Sequence, residues 1–185
     1  METIGALQGR GAEYYQKLGY ALQKNKKYAE AIDAYLKADT LKPDNIWNNR
    51  HLAICYRLNR NYQAALSYYK KVEEATPEDT NVIFHIGSCL AELGQYEEAA
   101  NYFFKLDFIE SNCIKAWRGI GWCSFISRKY EQAMKYYEKI IEQKPLAIDY
   151  MNAGHVAWTM GDIQKATALY LSLIHISEPT RLGMI

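Results

Sequence analysis

Every thirty-fourth residue of a long stretch of this chain is aromatic: Tyr35, Tyr69, Phe103, Tyr137 and, after one step of 33, Tyr170. Small residues keep the same interval in pairs twelve apart: Gly19 with Ala31, Ala53 with Ala65, Gly87 with Ala99, Gly121 with Ala133, and Gly154 with Ala166. Pro43, Pro77 and Pro145 fall on the same grid. A chain that repeats itself in this way is not organised around one irregular core. Each unit is a supersecondary piece that cannot bury its apolar face alone, and it does so against its neighbours.

Each unit reads as two helices. In "AEYYQKLGYALQKNKKYAEAIDAYLKADTLKPDN", Tyr15, Leu18 and Leu22, then Tyr28, Ala31, Tyr35 and Ala38, follow helical spacing on either side of a polar turn. The small pair lets two antiparallel backbones approach, and the aromatic residue one turn later fills the space beside the crossing. Proline stops the second helix because it has no N–H and crowds the preceding turn. Asp44 and Asp79 are placed to cap the helix that follows. Ser111 stands where the third unit should have proline, so a looser exit is expected there. The fifth unit enters one residue early and is expected to tilt against the fourth.

Five segments carry a family likeness: "KLGYALQKNKKYAEAIDAYLKA", "HLAICYRLNRNYQAALSYYKKV", "HIGSCLAELGQYEEAANYFFKL", "GIGWCSFISRKYEQAMKYYEKI" and "NAGHVAWTMGDIQKATALYLSL". Over residues 12 to 170 the chain resembles the tetratricopeptide repeat (TPR) family. The resemblance implies an all-α solenoid of antiparallel helix pairs in a right-handed superhelix. Nine complete helices, a truncated tenth and no strand are expected. The repeats fall at 12–45, 46–79, 80–113, 114–146 and 147–170, after a lead-in at 1–11. The residues after Tyr170 break the beat. Back-translated, "LSLIHISEPTR" resembles the end of a transposase-type sequencing-library adapter. Residues 171–185 are therefore expected to be a non-native tail, with the natural chain cut near Tyr170 and continuing into further repeats or another domain. The last helix is expected to reach about His175 and to fray before Pro179.

Charge narrows the choice of partner. With 22 Lys plus Arg against 21 Asp plus Glu, the net charge of +1 gives no reason to expect nucleic acid or a membrane. The basic run Lys24–Lys27 reads as a solvated turn. No apolar run approaches the roughly 18 residues of a membrane helix. Four cysteines without a CxxC pairing point to a reducing, cytoplasmic setting. Cys55, Cys89 and Cys123 share one repeat position and read as small residues on a buried helix face. His85 and Cys89 lie one turn apart, but zinc needs four ligands or an open water site. His51, His85 and His155 belong to no nucleophile–base constellation, and there is no glycine-rich phosphate loop. Catalysis, cofactor and metal are accordingly not expected.

The TPR resemblance implies that the first helix of each pair lines a concave groove. Groove positions are held by Gln16, Tyr20, Trp47, Arg50, Ile54, Arg57, Phe84 and Ser88, then by Lys115, Arg118, Trp122, Phe125, Met151, His155 and Trp158. Aromatic residues alternating with arginines suit an extended or helical peptide with apolar and acidic side chains. The peptide is expected over Phe84, Trp122, Phe125 and Trp158, with Arg118 meeting its acidic groups. Trp47 reads equally well as a groove residue or as packing against the neighbouring repeat. Family members that grip the carboxylate tails of chaperones use Lys and Asn. The matching positions here are Gln16, Tyr20, His51, Asn81 and His85, so no tight binding of such tails is expected. The resulting reading is a non-catalytic protein- or peptide-binding scaffold. The alternatives are the repeat region of a larger regulatory protein or enzyme, and an adaptor that self-associates through an uncapped C-terminal end.

Overall fold

The computed structural model describes residues 11–177, with side chains as far as residue 173. Ten helices follow one another: α1 (Ala12–Lys24), α2 (Tyr28–Leu41), α3 (Ile46–Leu58), α4 (Tyr62–Ala75), α5 (Thr80–Glu92), α6 (Tyr96–Ile109), α7 (Ile114–Ile126), α8 (Tyr130–Ile141), α9 (Ala147–Thr159) and α10 (Ile163–Ser177). No strand occurs among the described residues. Two compact units divide them, and within each unit successive helices pack as antiparallel neighbours of the TPR type. Met1–Gly94 holds α1 to α5, and Gln95–Ile185 holds α6 to α10.

The small-residue pairs work through close approach. Ala31, Ala53, Ala65, Ala99, Ala133 and Ala166 are fully buried, as are the rings of Tyr35, Tyr69 and Tyr137. A Cβ built on Gly19 would lie 2.8 Å from the Tyr35 ring, and one on Gly121 would lie 3.0 Å from Tyr137. Gly154 faces Tyr170 in the same way. Gly19→Ala is therefore expected to lower stability by about 1–3 kcal/mol, the usual range for overpacking, because the Tyr35 ring is enclosed and has nowhere to go. A thermal melt checks this, and an unchanged midpoint would mean that the crossing tolerates a methyl group.

The turn inside each pair also repeats. Lys26, Arg60, Gly94, Arg128 and Gly161 all take positive φ, between 60° and 84°. At this position the chain closes the first helix with a left-handed residue, so that the next backbone N–H reaches back to the last turn. Lys27 N–H donates to the Leu22 carbonyl at 3.0 Å, and Asn61 N–H to that of Tyr56 at 2.9 Å. Three of the five positions hold Lys or Arg rather than Gly. Their charge beside the free carbonyls of the helix end offsets part of the strain.

Three local expectations change. Asp79 caps α5, accepting from the N–H groups of Asn81 and Val82, but Asp44 caps nothing. It sits at φ 55°, a conformation short polar side chains tolerate, and Asn45 takes over the cap by accepting from Asn48 N–H. Ser111 does not shorten the helix that precedes it. Helix α6 has 14 residues, like α2 and α4, and Asn112 at φ 61° makes the turn. The tenth helix runs to Ser177, slightly past the expected end near His175. At 15 residues it is the longest, because the segment from Leu171 to Ser177 contains neither glycine nor proline. The expected fraying before Pro179 lies outside the described residues.

Candidate functional site

In the N-terminal unit, α1 and α3 bring Gln16, Tyr20 and Trp47 together with His51 around a cleft of about 680 Å³, which Glu13 and Lys17 complete. Trp47 packs against the neighbouring repeat, its ring 6.0 Å from that of Tyr35 and 6.3 Å from that of Tyr20. Its ring lies 4.0 Å from that of His51, yet 43% of the residue stays exposed. Below them Tyr35 stacks on His51 at 5.6 Å, and Gln23 Oε1 lies 3.0 Å from the Tyr35 hydroxyl and 2.8 Å from His51 Nδ1. Burial, with the charges of Arg50 and Lys24, pushes His51 down to about 4, so the ring is neutral at physiological pH.

The other residues of this unit that the sequence assigned to a groove are largely engaged. Arg50 pairs with Asp79 at 2.8 Å. Partial burial raises the Asp79 carboxyl, but the Val82 and Asn81 N–H groups and Arg50 outweigh it and hold it low. Ile54 is half-buried, and Arg57 lies beside the Tyr69 hydroxyl. Phe84 is half-buried with its ring edge-on to His85 at 5.4 Å, and Ser88 Oγ donates to the Phe84 carbonyl at 2.9 Å.

In the C-terminal unit, α7 and α9 present the aromatic residues. Trp122 is 42% exposed and Trp158 59%. Phe125 lies between Trp122 at 6.3 Å and Tyr130 at 6.0 Å. Met151 is half-buried, while His155 is exposed with its ring 5.8 Å from that of Tyr170. Lys115 pairs with Glu110 at 3.3 Å.

Arg118 is paired within the chain. Its Nε and Nη2 donate to the two oxygens of Asp149, each at 2.8 Å, and the Asp149 side chain is only 1% exposed. The same carboxylate accepts from Leu146 N–H at 2.7 Å. Arg118 therefore fastens α7 to the first turn of α9, much as Arg50 fastens α3 to the cap of α5. The bidentate bond to Asp149 holds its guanidinium more firmly charged than usual.

Sequence reasoning missed Asp149, whose signal was an acid at the third position of a helix whose cap, Leu146, has no polar side chain. It also missed the pairing of lysines with tyrosines one turn earlier: Lys71 over Tyr68, Lys105 over Tyr102 and Lys139 over Tyr136, each within about 6 Å. The three ladder cysteines are enclosed, and burial pushes Cys55 up to about 12 and Cys89 and Cys123 to about 11. No cluster of three or more His, Cys, Asp or Glu able to hold a metal occurs among the described residues. Among them, too, no helix is long and apolar enough to cross a membrane.

Family profiles described as tetratricopeptide repeat match residues 57–122, and residues 12–45 and 114–145. The chain belongs to the tetratricopeptide repeat family. No curated protein matches this TPR chain by sequence. Among solved structures it is similar to MamA, with a TM-score of 0.85 at 18% identity over 96% of this chain and 97% of that one. It is also similar to YrrB, described as a TPR protein with an unusual peptide-binding site. There the TM-score is 0.77 at 21% identity, over 91% of this chain and 87% of that one. A TPR protein from Parabacteroides merdae gives 0.74 at 22%, over 91% and 66%. At these identities the likeness is one of fold. A TPR chain has the architecture of a protein-interaction scaffold, and the family's repeats generally do no chemistry.

Proposed function

We propose that this TPR chain binds a protein or peptide segment along the first-helix face of its C-terminal unit, anchored on Trp122, Phe125 and Trp158. One observation carries the reading: two tryptophans of neighbouring first helices stand 42% and 59% exposed. Such faces normally carry Glu, Lys and Gln. Exposed indole area is unfavourable in water, and an aromatic anchor buried on binding commonly contributes about 2 kcal/mol or more. The partner's chemistry is apolar. The acidic component inferred from the sequence loses its main support, because Arg50 and Arg118 are engaged by Asp79 and Asp149. Met151, His155 and Lys115 edge the face. In the N-terminal unit Tyr20 is the corresponding open ring, while Ile54, Arg57, Phe84 and Ser88 are partly covered.

A peptide selected from a random library on the intact chain supplies the test. Trp122→Ala is expected to weaken its binding tenfold or more by calorimetry, with helical content and melting temperature unchanged. Unchanged affinity with a lowered melting temperature would make Trp122 a packing residue and remove the proposed face.

A second reading, self-association through the last pair, has its own support: Ile163 and Leu171 of α10 are about half exposed. A monomer by sedimentation at high concentration would exclude it.

A further inference from the structure

The cleft of the N-terminal unit has a polar feature that neither its walls nor the fold requires. Gln23 Oε1 accepts the Tyr35 O–H at 3.0 Å and lies 2.8 Å from His51 Nδ1. An acceptor oxygen cannot accept from a lone pair, so Nδ1 must carry the hydrogen. The ring is neutral, because burial and the nearby positive charges of Arg50 and Lys24 disfavour a second proton. Nε2 is then a bare acceptor. Among the described residues the bond to Gln23 is the only hydrogen bond of the His51 side chain. With Nδ1 turned down to Gln23, the opposite edge of the ring, which carries Nε2, is the one left to the cleft it lines.

The walls specify what would satisfy that acceptor. Tyr20 stands edge-on to His51 at 5.6 Å and 87°, and 6.3 Å from Trp47, so three rings meet around the cleft with no two of them parallel. Glu13 and Lys17 at the rim have opposite charges. Lys24 Nζ already lies 5.2 Å from the centre of the Tyr20 ring, so a cationic guest would meet like charge. The occupant should be flat, apolar, uncharged and provided with one N–H donor. We infer that this cleft receives the indole of a tryptophan from a partner peptide, its N–H donating to His51 Nε2 while the indole packs against the exposed surface of Tyr20 and Trp47. A site of this kind discriminates strongly, since an analogue without the donor leaves the acceptor unpaired. The inference does not rest on the C-terminal-unit face, and Trp122→Ala should leave this site intact.

Three NMR measurements on the intact chain test it. The ¹⁵N shifts of His51 should show the Nδ1–H tautomer; an Nε2–H tautomer overturns the proposal. N-acetyl-tryptophanamide should then shift the Trp47 and His51 resonances with an affinity on the order of 1 mM, and its 1-methylindole analogue should bind at least about fivefold more weakly. Equal affinities, or no shift with either probe, overturn it. His51→Phe keeps a ring against Tyr35 and should bring the ratio between the two probes close to one while both still bind. This readout does not follow from a loss of stability, so retained discrimination in His51→Phe would remove His51 from the site.

Discussion

Raising the pH from about 8 to about 10.5 is expected to unfold this chain. Cys55, Cys89 and Cys123 are fully buried and uncharged, and burial pushes their thiols from 9.0 up to about 12, 11 and 11. In the unfolded chain they ionise near the ordinary value. Above about pH 9 the unfolded state therefore binds fewer protons than the folded one, and stability falls as pH rises. Below that pH both states are protonated and the cysteines contribute no pH dependence. At pH 10.5 each cysteine costs about 2 kcal/mol and the three together about 6, a large part of the roughly 5–15 kcal/mol by which such domains are stable. Tyr69, pushed up to about 12, and Tyr35 and Tyr137, also raised by burial, act in the same direction. Circular dichroism against pH checks this. Replacing all three cysteines by alanine should move the alkaline midpoint upward while lowering stability at neutral pH. A melting temperature flat from pH 8 to 10.5 would contradict the burial of these thiols.

Arg118→Met is expected to destabilise the C-terminal unit by about 3 kcal/mol. It leaves the Asp149 carboxylate 1% exposed, with the Leu146 N–H still donating to it but no charge beside it. Arg118 itself is about one-third exposed, so water screens part of the pair and keeps the loss near the lower end of the range for broken buried pairs. Arg118→Met combined with Asp149→Leu removes both charges and should recover much of the loss. The matching change, Arg50→Met, should cost only about 1 kcal/mol. Asp79 is partly exposed and keeps its two backbone N–H bonds. Urea titrations of the three variants beside the unaltered chain would measure these differences. Equal losses for Arg118→Met and Arg50→Met would mean that Asp149 is reached by water.

What the sequence shows and what it hides divide along physical lines. A strict period reports which residues share a face, because it averages over five copies of one geometry. The helix pairs, the Gly19–Tyr35 type of crossing and the buried cysteine row were therefore legible before any coordinates. Events at a single copy were not. Asp44 and Asn45 are adjacent and both suit a cap, and only the backbone torsion at Asp44 decides between them. Arg118 looked open because its partner, Asp149, lies 31 residues away in a helix that starts one residue out of register. His51 looked inert because no nucleophile accompanies it. Its place beside Tyr20 and Trp47 follows from how α1 and α3 pack, and its tautomer from one oxygen of Gln23. The last helix runs past the point where the repeat pattern stops, since helix formation asks only for residues that do not break it.

The four tryptophans allow the binding face to be tested within one spectrum. Trp117 is buried and donates its Nε1–H to Asp107 at 2.7 Å, so it serves as the internal reference, while Trp122 and Trp158 stand exposed on α7 and α9. Titrating the ¹⁵N-labelled chain with a library-selected peptide should shift or broaden the indole signals of Trp122 and Trp158 together, along one saturation curve, and leave that of Trp117 in place. A peptide that saturates the chain without moving either signal would contradict the proposal that this TPR chain binds through the aromatic face of its C-terminal unit.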